Sequence, residues 1–125
     1  MRVAIIGGGA AGMMAAATLL EENSGSEIHL FEKNKILGQK VIISGGGRCN
    51  VTTGITDKHL LRKKYTRGAD FLMTAISVFP PSKVKGWFER HDVPLKTEED
   101  LRVFPVSDDG HDVVGAFERL FAAGG

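Results

Sequence analysis

The apolar and polar positions of the chain predict an opening strand–helix–strand unit. Residues 3–6 form a continuous apolar run, which predicts a buried strand over residues 2–6. Residues 10–22 are rich in alanine and leucine, which favour a helix with small residues on the face that packs against a sheet. A second strand is predicted over residues 27–32. The chain is therefore predicted to begin as a βαβ unit with parallel strands.

The pattern after this unit is mainly helical. A helix is predicted over residues 68–79, because apolar residues recur there at the spacing of one helix face. This stripe is interpreted as core or as an interface, and its members are Phe71, Leu72, Ala75, Ile76 and Phe79. Prolines end that helix, and further helices are predicted over residues 82–91 and 110–122. Residues 95–97 and 102–104 are predicted to pair as a small hairpin around an acidic turn.

Glycines follow the first predicted strand at a spacing that is typical of nucleotide-binding turns. Gly7 allows a tight turn out of the strand, Gly9 lets a pyrophosphate approach the backbone, and Gly12 lets the helix lie close to the strand. The helix N-terminus offers backbone N–H groups and a positive dipole end to an anion. Glu32 ends the second strand, where a carboxylate accepts hydrogen bonds from a ribose. The sequence predicts a dinucleotide site in a partial Rossmann-like α/β fold; the alternative is an ordinary glycine-rich turn.

A second glycine-rich stretch covers residues 38–50. Three consecutive glycines allow the backbone to approach a ligand closely or to take positive φ. Arg48 offers a fork of donors that suits a phosphate, and short polar side chains flank the glycines. This stretch is predicted to form a second loop on the same ligand, and the alternative is a flexible surface loop.

The composition narrows the class of protein. Sixteen Lys and Arg residues against fifteen Asp and Glu residues leave no bulk field that favours nucleic acid or an anionic membrane. A single cysteine, Cys49, excludes an internal disulfide and agrees with a reducing compartment. The four histidines lack metal-ligand spacing, so no metal site is predicted. We expect a cytoplasmic protein without a nucleic-acid or membrane partner.

One segment departs from this even charge distribution. Residues 58–67 carry a basic cluster, whose members are Lys58, Arg62, Lys63, Lys64 and Arg67. Such clusters bind RNA or phosphate in some proteins. The balanced charge of the whole chain favours the other interpretation, a solvated helix face.

Three segments together resemble one protein family. Residues 7–12, the run GQKVIISGGGRCNVT at 38–52 and the run LRVFPVSD at 101–108 are similar to the BaiN/YhiN-like bacterial FAD-dependent oxidoreductases, also described as aminoacetone-oxidase-like flavoproteins. The similarity extends over essentially the whole chain. It implies an FAD-binding domain, with NAD(P)H as the electron donor. Leu101 stands where the family usually has glycine, so the turn there is expected to be built differently.

The resemblance also implies cofactor-binding roles by position. It places the FAD pyrophosphate on Gly7, Gly9, Ala10, Ala11 and Gly12, and the ribose on Glu32. It implies a second cofactor loop beside the flavin, formed by Lys40, Ser44, Gly45, Gly46, Gly47, Arg48, Cys49 and Asn50. Lys33 is a further candidate, which either reaches a phosphate or faces water. Cys49 has no CxxC partner, so it is predicted to be a small packed residue. No catalytic residue is assigned.

The predicted fold is incomplete. A doubly wound sheet needs a third parallel strand after the last helix, and none is predicted. Members of the resembled family are longer, with a substrate domain and a C-terminal segment that closes the FAD site. We therefore expect residues 1–125 to be the N-terminal part of an FAD-binding domain without those parts. Uncovered edges and faces are expected to favour self-association or a complementary chain.

Three functional hypotheses follow. The first is the FAD-binding portion of an oxidoreductase that transfers hydride between NAD(P)H, flavin and a small organic substrate of unknown identity. The second is the NAD-binding domain of a simple dehydrogenase, which would not require the second glycine loop. The third is a truncated, inactive remnant with weak nucleotide binding. In the first hypothesis the redox chemistry comes from the bound flavin, and the protein supplies position and electrostatics.

Overall fold

A computed structural model describes residues 1–22 and 25–124, and they form two compact units. Unit 1 comprises Met1–Cys49 and Ser107–Gly125, and unit 2 comprises Asn50–Val106. Unit 2 is therefore an insertion in the chain of unit 1. That residues 1–125 are the N-terminal part of an FAD-binding domain stays a prediction.

Unit 1 contains the predicted βαβ unit. Strand β1 (Arg2–Ile6) pairs in parallel with strand β2 (Glu27–Phe31), and helix α1 (Ala10–Glu21) connects them. The short helix α2 (Gln39–Ile43) and a 3₁₀ turn (Ser44–Gly47) follow β2. The long helix α6 (Gly110–Gly124) completes the unit. The predicted fold class, α/β with a Rossmann-like βαβ unit and an incomplete sheet, is confirmed.

The core of unit 1 lies between α1, α2 and α6. Small side chains on α1, Ala16 and Ala17, are buried beside Met13, and α6 buries Val113 and Phe117. Burial of a side chain as large as Met13, Val113 or Phe117 stabilises the fold by about 1.5–3 kcal/mol. The apolar face of α6 thus joins the βαβ unit to α2, although the two parts are distant in sequence.

The βαβ sheet is covered less than the sequence predicts. Its side chains alternate along each strand, and those on one face, such as Val3 and Ile5, are half-buried. On the other face Ile6 is 82% exposed and Phe31 is 54% exposed. The prediction of a buried first strand is therefore wrong for one face, because no described element packs over it.

Unit 2 is built on a three-stranded antiparallel sheet. Its order is β3 (Thr52–Thr53), β5 (Arg102–Pro105), β4 (Leu95–Thr97), so β5 is central. Three helices precede the β4–β5 pair, namely α3 (Lys58–Lys63), α4 (Ala69–Val78) and α5 (Pro81–Arg90). The core consists of Leu61, Trp87, Phe88, Val93, Leu95, Val103 and Phe104.

Some elements of unit 2 match the sequence prediction and others do not. The hairpin is confirmed, with Thr97 opposite Val103, and Pro81 is the first residue of α5. Strand β3 was not predicted, because two residues are too few to show alternation. Helix α4 is present, but it buries none of its stripe, and Phe71 is 85% exposed. The interpretation of the stripe as core is therefore wrong, and its interpretation as an interface stays a prediction.

Leu101 has a backbone conformation that favours glycine. Its φ is +67°, in the left-handed region, and its side chain is 44% exposed. Its N–H donates to the Glu98 carbonyl and its carbonyl accepts from Gly54 N–H, which hold the turn in place. The turn at this position is therefore made with the backbone that glycine adopts, but with a leucine.

Among the described residues, no helix combines the length and apolar character that crossing a membrane requires.

Substitution of Gly12 by alanine tests how closely α1 approaches β1. A Cβ atom at Gly12 would collide with the Gly7 carbonyl oxygen, which belongs to the backbone and cannot rotate away. We expect Gly12→Ala to lower the free energy of unfolding by about 2 kcal/mol in urea denaturation. The control is Gly86→Ala in α5, whose nearest neighbour is the flexible Arg90 side chain, at 3.4 Å. It should raise stability by up to about 1 kcal/mol, and equal stability of the two variants would contradict the packing described here.

A second prediction concerns Leu101. We expect Leu101→Gly to raise the free energy of unfolding by about 1 kcal/mol, because the left-handed conformation costs glycine nothing. The matched control is Val106→Gly, since Val106 is similarly exposed and its φ is not positive. That substitution should lower stability by about 0.5–1 kcal/mol. Loss of stability in both variants would refute strain at Leu101.

Candidate dinucleotide-binding site

A cleft of about 420 Å³ lies where β1 and β2 end. Volumes of this order are typical of small-molecule sites. Ligands of open α/β sheets bind outside the carboxyl ends of the strands, and this cleft has that position. Its walls are formed by Ile6, Gly7, Gly8, Gly9, Phe31, Glu32, Lys33, Asn34, Gln39 and Lys40.

The glycine turn forms one wall of the cleft. Gly7 has a φ of +104°, which allows the chain to leave β1 abruptly, and its N–H donates to the Phe31 carbonyl at 2.8 Å. The Gly8 carbonyl accepts from Gly38 N–H at 2.8 Å. The turn is therefore attached both to the end of β2 and to the residue before α2.

The N-terminus of α1 opens on this turn. Gly9 is the N-cap residue, and no side chain hydrogen-bonds to the first turn of the helix, which also lacks acidic residues. A Cβ atom added to Gly9 would have no neighbour within 4 Å, and Ala10 and Ala11 are exposed. Backbone N–H groups at such a position, together with the helix dipole, attract an anion.

Glu32 is fixed across the cleft by three hydrogen bonds. Its Oε2 accepts from Gly8 N–H at 2.8 Å. Its Oε1 accepts from Asn34 N–H at 2.8 Å and from Asn34 Nδ2 at 2.7 Å. These N–H groups, first that of Asn34 and then that of Gly8, lower the pKa of Glu32 below its ordinary value. The carboxylate is thus ionised and oriented, and it links the glycine turn to the end of β2.

The cleft also contains residues that sequence reasoning missed. Gln39 lies in its wall, Asn34 holds Glu32, and Gly8 donates to Glu32. The position of Asn34 two residues after the acid is a weak local signal, since an N–H at that spacing reaches a carboxylate in turns. Gln39 has no such signal, because only the path of the chain from β2 to α2 brings it to the cleft. Lys33 and Lys40, both predicted as cofactor-binding, lie in the same wall.

The second glycine-rich stretch differs from the predicted open loop. Its first part forms α2 and its second part the 3₁₀ turn, in which Gly45, Gly46 and Gly47 have φ values of +58°, +72° and +90°. Ser44 Oγ donates to the Val41 carbonyl at 2.8 Å, which closes the end of α2. A Cβ atom at Gly110 would lie 2.6 Å from the Ile42 carbonyl and 3.0 Å from that of Gly47, so α6 packs directly on this backbone.

The side chains after the glycines have protein partners. Arg48 lies 3.5 Å from the Asp108 carboxylate. Cys49 is buried, which raises the pKa of its thiol, and it occupies a packed position as predicted. In unit 2, Asn50 Oδ1 accepts from Val103 N–H at 3.2 Å.

The structure thus brings together only part of the predicted site. Gly7, Gly9, Glu32, Lys33 and Lys40 lie in the walls of one cleft. Ala10, Ala11 and Gly12 form the first turn of α1 beside it. Residues 44–50 are not among the residues that form its walls. The cofactor-binding role of each of these residues stays a prediction.

Curated proteins with known activities resemble parts of the chain. A 3-dehydro-bile acid delta(4,6)-reductase from Clostridium scindens is 36% identical over 56 residues, which are 45% of this chain and 14% of that protein. Ribosomal RNA dihydrouridine synthases resemble it as well. The Haemophilus influenzae protein is 43% identical over 58 residues, 46% of this chain and 14% of the relative. The Escherichia coli protein is 48% identical over 48 residues, which are 38% of this chain and 12% of that protein.

The matched stretches therefore cover about a seventh of each relative's length or less.

The family comparison covers more of the chain. The family described as HI0933-like protein Rossmann domain matches residues 1–125. This agrees with the parallel βαβ unit, the glycine turn at the end of β1 and the carboxylate at the end of β2. The chain belongs to the HI0933-like Rossmann-domain family of FAD-binding oxidoreductases.

Proposed function

We propose that the cleft of unit 1 binds the adenosine diphosphate half of FAD. We also propose that the chain is the FAD-binding portion of a flavin-dependent reductase. The observation that carries this proposal is the meeting, in one cleft, of an uncapped helix N-terminus with an ionised carboxylate at the end of the neighbouring strand. The first group suits a pyrophosphate and the second a ribose.

The pyrophosphate position is supported by backbone and charge. The space beside Gly9 is open, so a phosphate oxygen can approach the backbone N–H groups of α1 without meeting a side chain. Lys33 and Lys40 contribute positive charge to the same cleft. An anion there is attracted by the helix dipole and by the two ammonium groups.

The ribose position is supported by Glu32. An ionised carboxylate accepts hydrogen bonds at several lone-pair positions, and Glu32 uses three of them for Gly8 and Asn34. The remaining capacity suits a hydroxyl donor. The negative charge also disfavours a phosphate on the 2′ position of that ribose, so the site suits an adenosine with a free 2′-hydroxyl.

When bound, FAD supplies two-electron chemistry, accepting hydride from NAD(P)H and delivering it to an organic acceptor. The relatives' names describe a bile-acid reductase and synthases of dihydrouridine in ribosomal RNA. We propose reduction as the shared reaction class and a small organic molecule as the substrate. The role of unit 1 in this reaction is to bind and orient the cofactor. We assign no substrate-binding residue to unit 1.

Titration with FAD tests the proposal directly. The purified chain should quench FAD fluorescence and gain the visible absorption of a bound flavin. We expect Gly9→Ala to weaken FAD binding about tenfold, because the added methyl group occupies the space that the phosphate needs. A tenfold change in affinity corresponds to about 1.4 kcal/mol of binding free energy.

The control for this titration is Gly115→Ala in α6. Its Cβ atom would lie 3.2 Å from the flexible Arg119 side chain, and Gly115 is not part of the cleft. Thermal denaturation should show that both variants are folded. Unchanged FAD affinity in Gly9→Ala, or tighter protection by NAD than by FAD, would refute the proposed site.

Acid titration of Glu32→Gln tests the carboxylate. The folded protein depresses the pKa of Glu32, so its stabilising contribution is present above the ordinary value of 4.5 and is lost as the pH falls through the lower folded value. Wild-type stability should therefore fall more steeply below about pH 4.5 than that of Glu32→Gln. At neutral pH the variant should also bind FAD more weakly.

The matched control is Asp57→Asn in unit 2. Asp57 caps α3 through His59 N–H and Leu60 N–H, and its pKa is likewise lowered by these bonds. The stability of this variant should also fall less steeply than that of the wild type in acid, but its FAD affinity should be unchanged. If Glu32→Gln and wild type show parallel stability curves across this pH range, Glu32 does not play the role described.

A further inference from the structure

Charge is distributed unevenly between the two units. Residues 50–106 carry ten Lys and Arg residues against seven Asp and Glu residues, whereas the rest of the chain carries six against eight. Five of the ten lie within residues 58–67, which contain no Asp or Glu. The small net charge of the whole chain, +1, therefore conceals a basic surface on α3 and the turn after it.

This basic surface borders a groove within unit 2. Two adjoining concavities of about 370 and 320 Å³ have five wall residues in common, namely Asn50, Thr52, Thr53, Leu61 and Tyr65. We call these together the unit 2 groove. Lys64 stands in its wall next to Tyr65, whose side chain is 41% exposed. The groove thus combines an accessible aromatic ring, threonine side chains and an ammonium group with an apolar wall, which is formed by Val51, Ile76, Phe79, Pro81 and Val84.

Most of the basic side chains of residues 58–67 have no ion-pair partner in the described part of the chain, although Lys63 is close enough to Asp57 to help lower the pKa of that carboxylate. Among the described residues, Arg62 alone of the five forms an ion pair, with Asp70 at 2.7 Å. Lys58, Lys63, Lys64 and Arg67 are exposed. Asp100 also lies in the groove, but its carboxylate is bound by Arg102. The charge that the surface presents to a ligand is therefore positive.

We propose that the unit 2 groove and the basic surface of α3 bind single-stranded nucleic acid. Phosphates contact Lys58, Lys63, Lys64 and Arg67, and a base stacks on Tyr65. The Thr52 hydroxyl and the Asn50 side-chain NH2 group offer polar contacts beside the stacked base. The Thr53 hydroxyl already donates to the Leu101 carbonyl, and Asn50 Oδ1 accepts from Val103 N–H. A splayed base enters a concavity of this size, whereas a paired base in a duplex does not. This inference is independent of FAD binding, which occupies residues of unit 1 only.

The test measures binding of labelled twelve-nucleotide rU and dT strands to the full chain across a salt series. Lys63→Ala/Lys64→Ala should weaken binding and make the salt dependence shallower by about 1.4 in log–log slope, because two phosphate contacts are lost. Tyr65→Ala should weaken binding about fivefold or more, and Tyr65→Phe should keep it. Tighter binding of rU than dT assigns the site to RNA, and the reverse assigns it to DNA.

The matched control is Lys83→Ala/Lys85→Ala on α5, which removes the same charge from the same unit. Equal weakening by the two double variants would overturn the proposal, as would no binding at low salt or a preference for anionic phosphatidylserine vesicles. FAD titration of the same samples separates the two proposals. A chain that binds FAD but neither strand refutes the groove alone, and one that binds a strand but not FAD refutes the cleft alone.

Discussion

The close approach of α1 to the end of β1 is the constraint on which unit 1 depends. Gly12 leaves no room for a side chain against the Gly7 carbonyl, so the helix begins immediately beside the strand. This contact points the N-terminus of α1 at the space outside the sheet and leaves its first N–H groups without side-chain partners. A more distant helix would not form a wall of the cleft. The packing of α1 and the proposed anion site therefore depend on the same glycine turn.

Glu32 complements this turn electrostatically. Its hydrogen bonds from Gly8 and Asn34 keep a negative charge at one side of the cleft. The positive groups of the cleft are the helix N-terminus, Lys33 and Lys40. A dinucleotide presents the matching arrangement, with hydroxyl donors on its ribose and negative charge on its phosphates. The same carboxylate joins β2 to the glycine turn. It thus stabilises the fold of unit 1, and in the proposed site it also selects the ligand.

The two units differ in what they present to a partner. Unit 1 has the Glu32 carboxylate and a glycine turn, while unit 2 has the basic helix α3 beside the unit 2 groove. Averaging charge over the whole chain conceals this difference, which is why sequence analysis favoured a solvated helix face for residues 58–67. Exposed apolar side chains such as Ile6, Phe31 and Phe71 show that unit 1 and unit 2 each leave apolar surface uncovered among the described residues.

The sequence alone was sufficient for the βαβ unit, the glycine turn, Glu32 and the β4–β5 hairpin. Each has a local signal, either periodicity or residue spacing, that does not depend on distant contacts. Tertiary structure decided the rest. It made β3 a strand because Val103 lies opposite it, and it folded residues 44–47 into a tight turn against Gly110. It also left Phe71 exposed, because a periodic stripe shows which residues share a helix face but burial depends on whether another element covers that face.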